Sequence, residues 1–537
     1  MLSDQFGTHV LRTLLLVLSG QASTAVSQNH RSKKSRSFQE KTQSTRLARE
    51  EVTSKPIAPP SFQESLSDIL QSVRGGLEPS RFKVMSTDAV AGPTLGLIVE
   101  LSLSMADGPA KSSDQDSLLT VILDGLESSE ESRHSDYIEG LMKDSVGSHM
   151  LQRLLQLVDD DVVGRFWQVY IKGSLCKLGV HPIANFVIAA LVRRLGEEGN
   201  AFEQACKEVE LAGESLVKHQ KLGILIALSD RGRELSELHP VREVAPNEVR
   251  NFKKKERNVW ADDDVQSKVA RAILSAFGFS NEQGEEEELK EGTSKELLVR
   301  VFASGKTKKG YKKEWKRMKE RAKEAADKKR KAKEEAADGI DLEEREDGEQ
   351  EGELLVSMQG SLLCQSLLRL PDPGNTPFLD SLLNQSSLLP LATNAVTVHI
   401  ILAPFQDTAL CTFAQRTALS TRILSELSPM LSDKFASRVV DSVFDKSDAF
   451  FKEKILKRCI DEENSILATN YGRYFLKRAN ISLFRKDVGQ WKQKMRERKM
   501  ASERKEEEQE VSIKQKSERP LKKKKVDQEL DLILAGI

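Results

Sequence analysis

Between Val146 and Val158 the apolar residues Val146, Met150, Leu151, Leu154, Leu155 and Val158 recur at helical spacing, so the stretch predicts a helix with one buried face. The opposite face begins with small and polar residues. Ser148 and Gln152 lie four apart and therefore one above the other, with the flat ring of His149 beside them. Such a face offers two hydrogen-bonding side chains and one stacking plate to a flat ligand.

Weaker copies of the pattern run through most of the chain. They are DQFGTHVLRTLL from Asp4, DAVAGPTLGLIV from Asp88, HPIANFVIAALV from His181, HQKLGILIALSD from His219, SMQGSLLCQSLL from Ser357, SDKFASRVVDSV from Ser432 and TNYGRYFLKRAN from Thr469, with a blurred copy within 393–402. They align on a small residue, here termed the anchor: Gly7, Ala91, Gly147, Ala184, Gly223, Gly360, Ala436 and Gly472. Gly147, Ala184 and Gly223 are 37 and 39 residues apart, and Ala436 and Gly472 are 36 apart. A period in this range predicts an all-α solenoid, in which each unit buries its apolar face only against its neighbours.

The pattern of an anchor followed by a triplet at its first, second and fifth positions resembles the Pumilio repeat. The degenerate copies, the long charged insertion between two blocks of repeats, and the ending NYGRYFLKRANISLFRKDVGQWKQKM from Asn470 resemble the nucleolar, ribosome-assembly branch of that family. The resemblance implies three-helix units stacked into a Pumilio-like superhelix. Its inner surface would hold RNA, with two or three side chains per repeat facing one base.

Carried onto this sequence, the resemblance assigns RNA-binding triplets residue by residue. Ser148, His149 and Gln152 form the fullest set, similar to an adenine-reading triplet. Ser361 and Gln365 resemble it, with Leu362 in place of the stacking ring. Ser437, Arg438 and Asp441 are close to a guanine-reading set, with Asp for the usual Glu. Thr8, His9 and Arg12, and likewise Arg473, Tyr474 and Lys477, put a cation where the family has Gln, which favours phosphate contact. Asn185 and Phe186 keep two contact positions, but Ala189 has lost the second hydrogen-bonding group. The copy with Ile224, Leu225 and Leu228 is wholly apolar, and the one with Gly92, Pro93 and Gly96 leaves almost nothing to touch a base. So few intact triplets predict a short single-stranded specificity joined to shape and phosphate recognition of folded RNA. The implied partners are precursor ribosomal RNA, single-stranded and structured, and proteins of the pre-ribosomal particle.

Composition changes the picture in three places. The 537 residues are 39% apolar, 31% charged and only 5% aromatic, which suits stacked helices with charged insertions. The formal net charge of zero hides segregation, because Lys and Arg cluster in runs while Asp and Glu concentrate elsewhere. The five cysteines, Cys176, Cys206, Cys364, Cys411 and Cys459, form no C-x-x-C pair and read as buried hydrophobes in a reducing compartment.

The segment 14–25 mimics a secretory leader, but Asp4 and His9 precede it and there is no basic start, so the repeat explains it better. No apolar run reaches the roughly 18 residues of a membrane span. The spacings also contain no H-E-x-x-H and no glycine-rich phosphate loop. No catalytic residue, metal ligand, cofactor, membrane or small-molecule substrate is therefore expected.

These readings divide the chain into a partial repeat over 1–26, a basic disordered insertion over 27–60, and repeats over 61–240. A linker with a candidate helix and a charged insertion follows over 241–353, then repeats over 354–488 and a basic tail over 489–537. The first motif begins so close to Met1 that a longer product is expected to carry the missing helices. In the tail, Lys522, Lys523, Lys524 and Lys525 beside Pro520 form a candidate nuclear import signal, consistent with nuclear and nucleolar residence. Two rival readings stay open: a messenger-RNA regulator of the same repeat family, and a HEAT-like or armadillo-like protein scaffold.

Overall fold

In the computed structural model the described residues are 2–20, 59–105, 122, 135–196, 200–238, 265–279, 297, 300–301, 357–406 and 409–498. The basic insertion at 27–58, most of the charged insertion, and the lysines 522–525 lie outside them. Among the described residues every regular element is a helix or helical turn. None of the helices is long and apolar enough to cross a membrane.

The motif helices are α1 (Gln5–Leu18), α2 (Gly92–Met105), α3 (Gly147–Leu157), α4 (Ala184–Val192), α5 (Gly223–Leu238), α6 (Met358–Leu368), α7 (Val398–Leu402), α8 (Ala436–Lys446) and α9 (Asn470–Arg478). The chain divides into two compact units. The first is Met1–His9 with Ser72–Arg478, and the second is Val10–Gln71 with Ala479–Ile537.

Within the first unit, each motif helix from α2 to α9 packs against the next, giving one continuous row. Where the preceding residues are described through two helices, a longer helix and a short one come before the motif helix, as in Phe413–Leu424, Leu427–Ser432 and α8, or Ala449–Asp461, Glu463–Leu467 and α9. This is the three-helix repeat of a solenoid. The apolar positions explain it: Met150, Leu151, Leu154 and Leu155 of α3 are buried, as are Val439, Val440, Val443 and Phe444 of α8.

The blocks separated in sequence are neighbours in space, because α5 packs directly on α6. Ser366 Oγ donates to Asp230 Oδ1 across that junction at 2.5 Å. Within the stretch read as a linker, Val265–Ala276 is a helix packed against Ala201–Ala212 and α5, with Val269, Ile273 and Leu274 fully buried. Part of that stretch thus belongs to the stack. Phe166, Trp167 and Tyr170, spaced as core residues, are buried there.

One device starts every motif helix but α5. Three residues before the anchor, a side chain accepts hydrogen bonds from the backbone N–H groups that would otherwise be orphaned at the helix start. Asp88 Oδ1 accepts from Val90 and Ala91, Asp144 Oδ1 from Val146 and Gly147, and Asp433 Oδ1 from Phe435 and Ala436. His181 does the same through Nδ1, toward Ile183 and Ala184, so that nitrogen carries no proton. Asn394 accepts from Val396 and Thr397, which fixes the register of the blurred copy with Thr397 at its anchor.

The second unit is described at residues 10–20, 59–71 and 479–498. There Trp491 is fully buried, stands edge-on to Phe484 with ring centroids 5.1 Å apart, and donates Nε1–H to Ala479 O at 2.8 Å.

Candidate nucleic-acid interface

Because neighbouring motif helices pack side by side, each turn after an anchor has one direction left for solvent. The second triplet position takes it in every copy but that on α5. His149 on α3, Phe186 on α4, Leu362 on α6, Arg438 on α8 and Tyr474 on α9 are all exposed, Phe186 by 58% and Tyr474 by 73%. His9 is exposed in the same way on α1. Large apolar side chains held in water are costly unless something covers them, and flat ones suit stacking on bases.

The first triplet position behaves otherwise. Thr8, Ser148, Asn185, Ser361 and Ser437 are buried, Ser148 at 2% exposure. Several spend their polar groups on the protein. Asn185 Nδ2 donates to His181 O at 2.8 Å and Pro182 O at 2.7 Å, Thr8 Oγ1 to Gln5 O at 3.1 Å, and Ser437 Oγ to Lys434 O at 3.2 Å. Ser361 Oγ donates across to Val396 O of the next repeat at 2.7 Å and accepts from Gln365 Nε2 at 3.2 Å, so that pair is joined internally. Backbone carbonyls three or four residues back are always within reach of such short side chains in a first helical turn.

The fifth position varies. Gln152 is half-buried, and its amide nitrogen is covered and has no hydrogen-bond partner. Leaving such a donor unmade costs about 1–3 kcal/mol, and an incoming acceptor that draws the amide outward would relieve it. Gln365 is buried in its bond to Ser361. Asp441 accepts from Arg478 Nη1 of the following repeat, and Asp445 accepts from Arg478 Nη2. Burial pushes the Asp441 carboxyl above the usual carboxylate range, with the Arg478 charge working against that rise.

On α9 the exposed face is cationic and aromatic together. Arg473 donates Nε–H to Leu467 O at 2.6 Å, and Tyr474 and Lys477 are exposed beside it. Arg12 is half-buried on α1.

Three features of this face were missed at the sequence level. Once Asn394 fixes the register of the blurred copy, His399 is its second-position residue and is exposed on α7. The signal was available, since Asn394 precedes Thr397 by the same three residues as Asp144 precedes Gly147. On α5, Ile224, Leu225 and Leu228 are buried, and Ile226 and Asp230 are half-buried. This copy has no capping side chain. Gln220 adopts a left-handed φ of 58° instead, and Lys221 N–H donates to Leu216 O at 2.8 Å. The third feature is the reach of Arg478, which no local pattern announces.

Among the described residues no group of His, Cys, Asp and Glu is arranged to hold a metal ion. All five cysteines are buried free thiols.

Comparison with known proteins agrees with this geometry. The family described as NOP9-like PUF repeat domain matches residues 1–474. Nucleolar protein 9 of Pyrenophora teres f. teres is 22% identical over 500 residues, covering 91% of this chain and 59% of its own length. Nucleolar protein 9 of Leptosphaeria maculans is 23% identical over 499 residues, covering 91% and 58%. The chain thus spans under two thirds of the length of these curated relatives. Among solved structures, that of APUM23 with GGAAUUGACGG shares the fold at a TM-score of 0.56 and 17% identity, over 91% of this chain and 74% of that one.

Proposed function

Since the chain belongs to the family of NOP9-like PUF repeat domains, we propose that it is an RNA-binding ribosome-assembly factor of the nucleolus that occupies precursor ribosomal RNA of the small subunit. The observation that carries the RNA-binding reading is the site on α3, where the Gln152 amide is unspent and the His149 ring, three residues before it on the same helix, is exposed. A base stacked on His149 would bring its hydrogen-bonding edge to that amide. The relatives named nucleolar protein 9 support the compartment.

Mechanistically the protein acts by occupancy. Bases stack on the exposed second-position side chains, each worth about 1–3 kcal/mol, while Arg473 and Lys477 meet phosphates. RNA held this way is kept from nucleases and from competing base pairing. Phosphate neutralisation makes the affinity fall steeply with salt. With most first-position groups turned inward, sequence selectivity is confined to a few bases, and the remaining affinity comes from backbone and stacking.

Crosslinking by ultraviolet light in cells, followed by sequencing of the attached RNA, tests the proposal. Crosslinks concentrated in small-subunit precursor RNA are expected. Crosslinks spread over messenger untranslated regions would point to a messenger regulator, and none above background would leave a protein scaffold. In vitro, replacing His149 and Gln152 together with alanine is expected to weaken RNA binding about tenfold, from the loss of one stacked and bonded base, with an unchanged helical spectrum. Unchanged affinity would remove this face from the interface.

A further inference from the structure

The copy on α8 carries the set expected to read guanine, with Ser437, Arg438 and Asp441 at the first, second and fifth positions after Ala436. Its carboxylate is already engaged. Arg478, at the sixth position after Gly472 in the next repeat, donates one guanidinium nitrogen to Asp441 Oδ1 and another to Asp445 Oδ2.

A related brace appears elsewhere in the row. Arg153, sixth after Gly147, reaches Glu100 Oε2 on the preceding helix at 2.6 Å. Glu100 is ninth after Ala91, just as Asp445 is ninth after Ala436. The sixth-to-ninth contact is therefore a joint between adjacent motif helices. At the α2–α3 joint the fifth position of the preceding copy is Gly96, so the arginine has nothing else to hold. At the α8–α9 joint the fifth position is Asp441, and the same guanidinium claims it too.

We infer that Arg478 is a specificity gate: by spanning Asp441 and Asp445 it withholds the α8 carboxylate from guanine, so this copy accepts any base. The inference rests on the RNA-binding reading above. Guanine offers two N–H donors on its Watson–Crick edge, and a carboxylate recognises it by accepting both. With Arg478 in place, one Asp441 oxygen is taken, and the charge that would favour those donors is largely offset. A base here stacks on Arg438 without being read. All three braced side chains are partly exposed, and exposed ion pairs are weak. The gate therefore holds guanine back by about fivefold, not by orders of magnitude.

The test is selection from a random-sequence RNA pool by the full chain, comparing wild type, Arg478→Gln, Asp441→Asn and the double variant, each checked for an unchanged melting temperature. Wild type and Asp441→Asn should give the same base profile. Arg478→Gln should gain about fivefold preference for guanine at one position, and the double variant should lose it. If guanine is already preferred by wild type and that preference disappears in Arg478→Gln, the arginine positions a working reader and the gate is wrong. An unchanged profile in Arg478→Gln overturns it as well. No enrichment by any of the four proteins, wild type included, overturns the RNA-binding reading itself and the gate with it. Failure of the gate alone leaves a wild-type profile that still enriches RNA.

Discussion

Replacing Gly472 with alanine is expected to loosen the last motif helix of the first unit, although alanine occupies the anchor in other copies. A Cβ built on Gly472 would lie 2.1 Å from the carbonyl oxygen of Ile466 and 2.8 Å from its Cγ2. Ordinary contact begins near 3.4 Å, so the start of α9 or the end of Glu463–Leu467 must retreat by about 1.3 Å. The obstacle is backbone and cannot rotate away. Overpacking of this kind costs about 1–3 kcal/mol, and an immovable partner places it in the upper part of that range.

Two sister substitutions calibrate the argument. At Gly147 the nearest atom is Leu141 Cδ2 at 2.4 Å, the far end of a side chain that can change rotamer, so a smaller loss is expected. At Gly223 nothing lies within 4 Å, and alanine there should be neutral or stabilise by about 0.4–1 kcal/mol through the unfolded chain. Repeat arrays need not unfold as one unit, so the assay is amide hydrogen exchange read by peptide. Exchange over 463–478 should quicken by roughly 30- to 150-fold in Gly472→Ala, equivalent to about 2–3 kcal/mol. Protection equal to wild type there, or an equal loss in Gly223→Ala, would refute the steric account of the anchor.

Two further outcomes follow from side chains that close the repeats. Arg194 donates to the carbonyls of Leu155, Gln156 and Val158 and to Asp160 Oδ1, closing the C-terminal end of α3 from the following repeat. Arg194→Ala should cost about 1.5–3 kcal/mol, with Arg194→Lys intermediate; melting temperatures that match wild type for both would deny the cap. The buried thiols should resist alkylation until unfolding. Burial, with Glu208 adding to it, pushes Cys176 from the ordinary 9.0 up to about 12, and burial with Glu462 does the same to Cys459. Burial also raises Cys206, Cys364 and Cys411. Because the folded values lie above the unfolded ones, this contribution to stability is intact below pH 9.0 and is lost as pH rises toward 12. Labelling by iodoacetamide at pH 8 that proceeds as fast on the native protein as on the urea-unfolded chain would contradict the burial.

The spacing of Met150, Leu151, Leu154 and Leu155 revealed a helix and its buried face because that information is local. The repeat and its family were legible for the same reason. Two things were not. The burial of Ser148 and Ser361 could not be read from i, i+4 geometry, since it depends on how the motif helices pack into a row. A polar residue at the edge of an apolar stripe is exposed in an isolated helix and buried in a packed row. Nor could the joining of α5 to α6 be read, because more than a hundred residues of charged chain intervene. The apolar faces at the two ends determine that contact, and the length between them matters only weakly.

These two points bear on function together. In a row of packed helices, the first position of each triplet is drawn toward the packing interface and toward carbonyls of its own turn. Keeping a hydrogen-bonding group there available to a ligand therefore means leaving a buried polar atom unmade. At the first position Asn185 and Ser361 spend theirs, and at the fifth Asp441 is held by a neighbour. Gln152 keeps one unspent. The second position carries no such penalty in any copy but that on α5, because it faces water, which is how His149, Phe186, Leu362, His399, Arg438 and Tyr474 can differ so widely in chemistry. A face in which stacking survives at more copies than edge recognition does would grip an unpaired strand firmly while reading little of its sequence. That division suits a factor that must cover one region of a folded precursor and later release it. A protein that searches many messages for a short exact site would need the opposite balance.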